Sequence, residues 1–299
     1  MNTSQTELLQ SAQKATAQKD YQGAVAFLQE AQTFGPNQQL TLELITNYLY
    51  LDQNKQALDE LPELNIYQNS RSFETYLKVL YQNHLIIPFF QIPFYLKQAT
   101  KLNQQYYDLY NDYQEKFKRL KLPKNAQKIK TQFMTDMATG LIKSRDSYEK
   151  LKQLPVADFT QVARTAFLAP GLRPELKVAL VEDLVKLGES NTFPIFVLDK
   201  LTEVNFAQAS LYFDTEFIKI SVRLIQSEVT DLSVQQLATS QYMLLLAKLY
   251  PRFDLFIENI SEFTFSFLRY FGILGDEDFD KNDNPYFALI EKLNQSEEF

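Results

Sequence analysis

The stretch DKNDNPYFALIE, Asp280 to Glu291, carries oxygen-bearing side chains at the spacing of a twelve-residue calcium loop. Asp280, Asn282, Asn284 and Glu291 stand where such a loop coordinates its ion. The sixth position is Pro285, where that loop needs a glycine for its sharp turn. Proline holds φ at about −65° and cannot make the turn. The stretch reads better as the start of a final helix. Asn284 serves as N-cap, Pro285 opens the first turn, and Tyr286, Leu289, Ile290 and Leu293 form an apolar stripe. Asp280 and Asp283 then complement the positive end of the helix dipole. No metal is expected there.

Other chemistry is sparse. His84 is the single histidine and sits beside an apolar run, where a structural role is expected; zinc sites and Ser-His-Asp triads are correspondingly weakened. With no cysteine there is no thiolate ligand, thiol nucleophile or disulfide framework. Glycine-built phosphate loops, GxSxG and HExxH are absent. Carboxylate neighbours such as Glu182 and Asp183 fit the polar face of a helix. The charge is −7 overall but unevenly spread. From residue 276 to 299, eight acids face two bases. From Glu115 to Lys130, one acid faces Lys116, Lys118, Arg119, Lys121, Lys124, Lys128 and Lys130. That basic run could meet phosphate; it also suits a solvated helix end, where cations complement the dipole.

The elements that would position such groups read as helices. Only seven glycines occur in 299 residues, which disfavours turn-rich β architectures. Residues 7–19 suit a helix. Ala24, Leu28 and Ala31 then share one helical face, and Gly35-Pro36 closes it. Leu42, Leu44, Ile45, Tyr48 and Leu49 mark a third helix, and Ala57, Leu61 and Leu64 repeat the first spacing 33 residues on. These residues resemble two tetratricopeptide repeats, helix-turn-helix units of about 34 residues. Ala24, Leu28, Ala31 and Pro36 fall on the small, large, small and helix-ending positions of that repeat, and Asp20-Tyr21 and Gln53-Asn54 on its inter-helix turn. The departures are Ser11, Ala12 and Ala15 in the first helix and Ile45 at a small position of the second repeat.

Beyond residue 68 the repeat fades while helices continue. Phe73, Leu77 and Leu80 share a face, and Pro88 and Pro93 break the next run. A long helix follows with Leu102, Tyr106, Leu109, Tyr113 and Phe117 as its stripe, then another closed by Gly140. Residues 141–155 read as a connector. Pro174 starts a helix carrying Leu176, Leu180, Leu184 and Leu187, which Gly188 ends. A short β-hairpin is permitted near 193–206. Further helices are expected near 214–226, 232–250 and 254–271, with the last from Pro285. FLAPGLRPELKVALVEDLVKLGE, with LYPRF later, resembles the C-terminal half of uncharacterised tetratricopeptide-repeat proteins of Gram-positive bacteria. That resemblance implies a repeat scaffold and no active site.

The expected fold is all-α. Stacked helical hairpins of tetratricopeptide type form an α-solenoid over residues 1–68, a helical extension covers 69–140, and a second helical module covers 141–299. The expected function is a non-enzymatic, cytoplasmic scaffold binding a protein or peptide, without cofactor or metal. The N-terminus lacks a secretory pattern, and the run from Leu85 to Leu96 is too short to span a bilayer. Candidate partner-contacting residues are Leu9, Gln13, Glu43, Thr46 and Tyr50, with Tyr106 and Tyr110 from the tyrosine-rich helix. The alternative is a nucleic-acid- or ribosome-associated protein using residues 116–130.

Overall fold

A helix leaves its last four carbonyls without intrahelical partners, and one residue in the left-handed region lets the chain reverse and cover them. Lys19, Asp52 and His84 adopt that conformation at φ 64°, 56° and 56°. They lie 33 and 32 residues apart. After each, the next backbone N–H reaches the carbonyl five residues back: Asp20 to Ala15, Gln53 to Tyr48 and Leu85 to Leu80, each at 2.9 Å. The same turn therefore occurs three times, and His84 makes the third.

The computed structural model describes residues 3–98, 104–120, 125–138, 143–169, 171–275 and 284–295. It is mostly helical with one small antiparallel sheet. The chain divides into two compact units, Met1–Lys124 with Lys152–Pro155, and Asn125–Leu151 with Val156–Phe299.

In the first unit the helices are α1 (Thr3–Ala17), α2 (Tyr21–Gln32), α3 (Gln38–Tyr50), α4 (Asn54–Asp59), α5 (Ser70–Gln82), α6 (Ile86–Phe90), α7 (Ile92–Gln98) and α8 (Gln104–Lys118). From α1 to α7 each helix packs on the next, and α1 touches α3, α3 touches α5, and α5 touches α8. Caps explain where several of the helices begin. The Asp20 carboxylate accepts from the Gly23 N–H at 3.0 Å, Asn37 from Gln39 and Leu40, and Asn69 from Ser72. Pro88 and Pro93 break the run as expected, by opening α6 and α7 within their first turns. Leu61 does not extend α4. Pro62 lacks an N–H and disfavours α geometry before it, so the chain tightens into a 3-10 turn at Leu61–Glu63.

Small residues let these helices approach. Ala24, Ala31 and Ala57 are wholly buried, together with Leu28, Leu44 and Ile45. Counting five residues on from each left-handed turn gives Ala24, Ala57 and Phe89. Phe89 thus fills in the third hairpin what alanine fills in the first two. Its ring stacks on Phe117 at 3.9 Å and on Tyr110 at 4.9 Å, drawing α8 into the core. One buried polar link joins successive hairpins. Asn47 is fully buried, donates to the Glu43 carbonyl at 2.9 Å and accepts from the Thr16 hydroxyl at 2.9 Å.

The second unit holds α9 (Ala126–Ala138), α10 (Lys143–Leu151), α11 (Val156–Ala166), α12 (Pro174–Lys186), the strands β1 (Thr192–Val197) and β2 (Lys200–Asn205), then α13 (Glu216–Glu228), α14 (Leu232–Ala247), α15 (Ile260–Tyr270) and α16 (Phe287–Gln295). The expected hairpin is present. Phe193 pairs with Val204 and Val197 with Lys200, and Phe193, Ile195 and Val197 turn into the core. The stretch expected as a connector carries α10, packed on α9. Tyr242 is wholly buried on α14; its hydroxyl meets Ser221 at 2.8 Å and Thr264 at 2.9 Å, tying α13 and α15 to it. The last helix starts at Phe287, two residues after Pro285, because the Asn284 carboxamide caps the Tyr286 N–H and also holds Ser266. Asp280, Asn282 and Asp283 lie outside the described residues.

Gly23 shows how tightly one cap is built. A Cβ there would stand 2.2 Å from an Asp20 carboxylate oxygen. Asp20→Ala should lower stability by about 1 kcal/mol. Gly23→Ala should destabilise the native chain by evicting the cap, yet stabilise the Asp20→Ala variant through helix propensity. Chemical denaturation of the four-member cycle checks that change of sign.

Candidate functional site

The helices that precede the three turns place corresponding side chains on corresponding faces. Six residues before each turn residue stand Gln13, Thr46 and Lys78; three before stand Thr16, Leu49 and Tyr81; two before stand Ala17, Tyr50 and Gln82. The second and third members of these sets converge. Thr46, Leu49 and Tyr50 from α3, Thr75, Lys78, Tyr81 and Gln82 from α5, and Tyr113 and Lys116 from α8 line a cleft of about 420 Å³. The register of the hairpins builds this wall, because equal steps from each turn bring equal helical faces to one side.

The cleft is aromatic and basic. The Tyr50 ring is more than half exposed and lies 4.6 Å from the Tyr21 ring in a stacked pair. Tyr81 sets its edge against Phe117 at 5.5 Å and Tyr113 at 6.4 Å. The Lys116 ammonium sits 3.8 Å above the Tyr113 ring, a cation–π contact that holds a flexible side chain at the rim. Lys78 reaches Glu74 one turn earlier at 2.9 Å. Burial raises the Tyr113 phenol above its ordinary value, and the nearby Glu74 carboxylate and Tyr81 add to the effect. No carboxylate lines the cleft among the described residues. The side-chain polar atoms of Tyr50, Thr75, Tyr81 and Gln82 have no hydrogen-bond partner there. This arrangement offers donors, ring faces and two cations to a polar guest; it holds no nucleophile–base pair.

The residues singled out from sequence are distributed unevenly. Thr46 and Tyr50 line the cleft. Gln13 is exposed on α1, at the position equivalent to Thr46. Glu43 is buried and pairs with Arg71 at 3.1 Å. Leu9 belongs to the core beneath α2. Tyr106 packs 5.1 Å from Phe73 with its hydroxyl toward the Tyr67 carbonyl, and Tyr110 packs on Phe89. Leu9, Tyr106 and Tyr110 are thus core residues and take no part in the cleft wall. Thr75, Lys78, Tyr81, Gln82 and Tyr113 were missed as site residues; a third turn at His84 is the signal that would have located those on α5.

The basic run is split. Lys116 and Lys118 end α8 and Arg119 follows it in the first unit, whereas Lys128 and Lys130 lie on α9 in the second. Lys118 pairs with Glu115 and Lys130 with Asp158, both at 2.7 Å. Lys121 and Lys124 lie outside the described residues. No described helix is long and apolar enough to cross a membrane. Comparison with protein-family models, curated proteins and solved structures found no match.

The aromatic core behind the cleft predicts a pH response. Burial pushes the phenols of Tyr67 and Tyr110 up to about 12 from an ordinary 10.0. Folding therefore favours their neutral form, and this stabilisation is complete below pH 10 and lost as pH climbs toward 12. Phenolate absorbance with circular dichroism in parallel should show a late ionising class that appears only with unfolding. A single transition near pH 10 with native dichroism would contradict it.

Proposed function

We propose that the first unit is a peptide-binding scaffold: a short solenoid of tetratricopeptide-like hairpins whose inner face receives an extended segment bearing carboxylates and an apolar or aromatic side chain. The observation that carries this reading is the cleft itself. Its walls come from equivalent positions of successive hairpins, and it joins Lys78 and Lys116 to ring faces and unpartnered hydroxyls without a carboxylate of its own. Extended segments are recognised by repeat surfaces of this kind through side-chain pockets and backbone hydrogen bonds. Tyrosines supply large contact area with few torsions to immobilise, which suits them to carry binding energy. The two lysines contribute attraction and orientation more than affinity, because both are well exposed at the rim. The scaffold reading assigns no catalytic step to this unit.

The test is direct. A library of acidic and neutral peptides is titrated against the full chain by fluorescence anisotropy. Acidic, aromatic-containing members should bind best, with affinity falling as salt rises. Tyr81→Ala should weaken binding at least about tenfold. Lys78→Glu with Lys116→Glu should weaken it similarly and remove the salt dependence. A photoreactive residue at Gln82 should crosslink the bound peptide. If the lysine reversals leave affinity unchanged, or no peptide binds, this reading fails.

A further inference from the structure

The second unit buries two lysines against one small cavity. Lys177, in the second turn of α12, is 5 % exposed, and Lys248, just past the end of α14, is 8 % exposed. Lys177 Nζ donates to the Lys248 carbonyl at 2.8 Å, and Lys248 Nζ donates to the Leu293 carbonyl on α16. Both line a cavity of about 140 Å³, whose other walls include Leu172, Pro174, Phe196 and Leu198. A carbonyl satisfies only one of the three ammonium donors of Lys177. Among the described residues no carboxylate pairs with it. A buried cation normally has such a partner.

Two further facts define what would fit. The N-cap of α12 is Arg173, whose side chain makes no capping hydrogen bond, so the positive end of a thirteen-residue helix opens beside Pro174. The β1–β2 hairpin contributes Phe196 and Leu198, which add apolar side chains to the lining. A buried ammonium beside hydrocarbon matches an anion with a short tail. The other charged groups on the surrounding elements are engaged. Arg173 pairs with Glu175 at 3.8 Å, Asp199 at the hairpin turn pairs with Lys292 on α16 at 2.8 Å, and Lys200 lies over the Phe256 ring. None of these lines the cavity.

We propose that this cavity is a binding site for a small aliphatic carboxylate, held by the ammonium group of Lys177 with its tail against Phe196 and Leu198. The binding is coupled to protonation. Burial pushes the Lys177 amine down to about 7, so near neutral pH the empty site holds much of it uncharged. A carboxylate beside it favours the ammonium form, so binding takes up a proton, and affinity falls as pH rises above 7 by up to about tenfold per unit. No bond to the guest is made or broken.

Isothermal titration calorimetry with butyrate, at pH 7.5 in buffers of different ionisation enthalpy, tests this on the intact chain. The expected result is saturable binding with proton uptake, weaker at pH 8.5 by about tenfold. Lys177→Met should weaken binding at least about tenfold and remove the uptake, while Lys55→Ala, at an exposed residue lining neither the cleft nor the cavity, should bind as the native chain does. If Lys177→Met fails to fold, the proton uptake of the native chain still decides. Butyrate that does not bind, that binds without proton uptake, or that binds no better than inorganic phosphate would overturn the proposal.

Discussion

The constraint on which the first unit depends is the need to satisfy helix-end carbonyls while reversing the chain. One left-handed residue does both, and its recurrence at Lys19, Asp52 and His84 sets the hairpins in equivalent poses. The cleft follows from that equivalence. Steps of six, three and two residues back from the turns at Asp52 and His84 reach the cleft-facing side of the preceding helix. The buried Asn47 then ties adjacent hairpins together: its amide is held within α3 by the Glu43 carbonyl, and its oxygen accepts from Thr16 on α1.

Much of this was legible in the residues, and the failures have physical causes. The first two hairpins showed because Ala24 and Ala57 keep helices close, a requirement that restricts the residue type. The third was hidden because Phe89 occupies the equivalent place, where stacking on Phe117 and Tyr110 replaces close approach. Its turn was hidden as well. A histidine at positive φ has no marked sequence signature, whereas glycine at Gly188 announced the end of α12. Tyr106 and Tyr110 read as candidate partner contacts on a tyrosine-rich helix, but they went into the core, because a helix stacked on one side buries one face and sequence does not say which. Helix boundaries were displaced where a side chain outbid the backbone rule, as with Asn284 before α16 and Pro62 after α4.

The two units handle positive charge in opposite ways. Lys78 and Lys116 stand at a wet rim, one paired along its helix and the other over a ring, so their charge is cheap to keep and open to a partner. Lys177 and Lys248 are buried, and each reaches into the carbonyl end of another helix. Desolvation there is only partly offset by those carbonyls, which leaves Lys177 sensitive to whatever enters beside it. Sequence reading passed over both lysines, since α12 presents Lys177 within an ordinary amphipathic pattern, and Phe196 and Lys248 join it at the cavity from about twenty and seventy positions further along.

The turn residues have a consequence beyond geometry. A base, an acid and an imidazole occupy one backbone slot, and all three side chains are exposed. A non-glycine residue in that conformation costs roughly 1 kcal/mol whatever its chemistry. The slot thus demands a backbone shape and is indifferent to charge. Mutation can rewrite the surface potential at the tip of every hairpin while the packing beneath stays as it is.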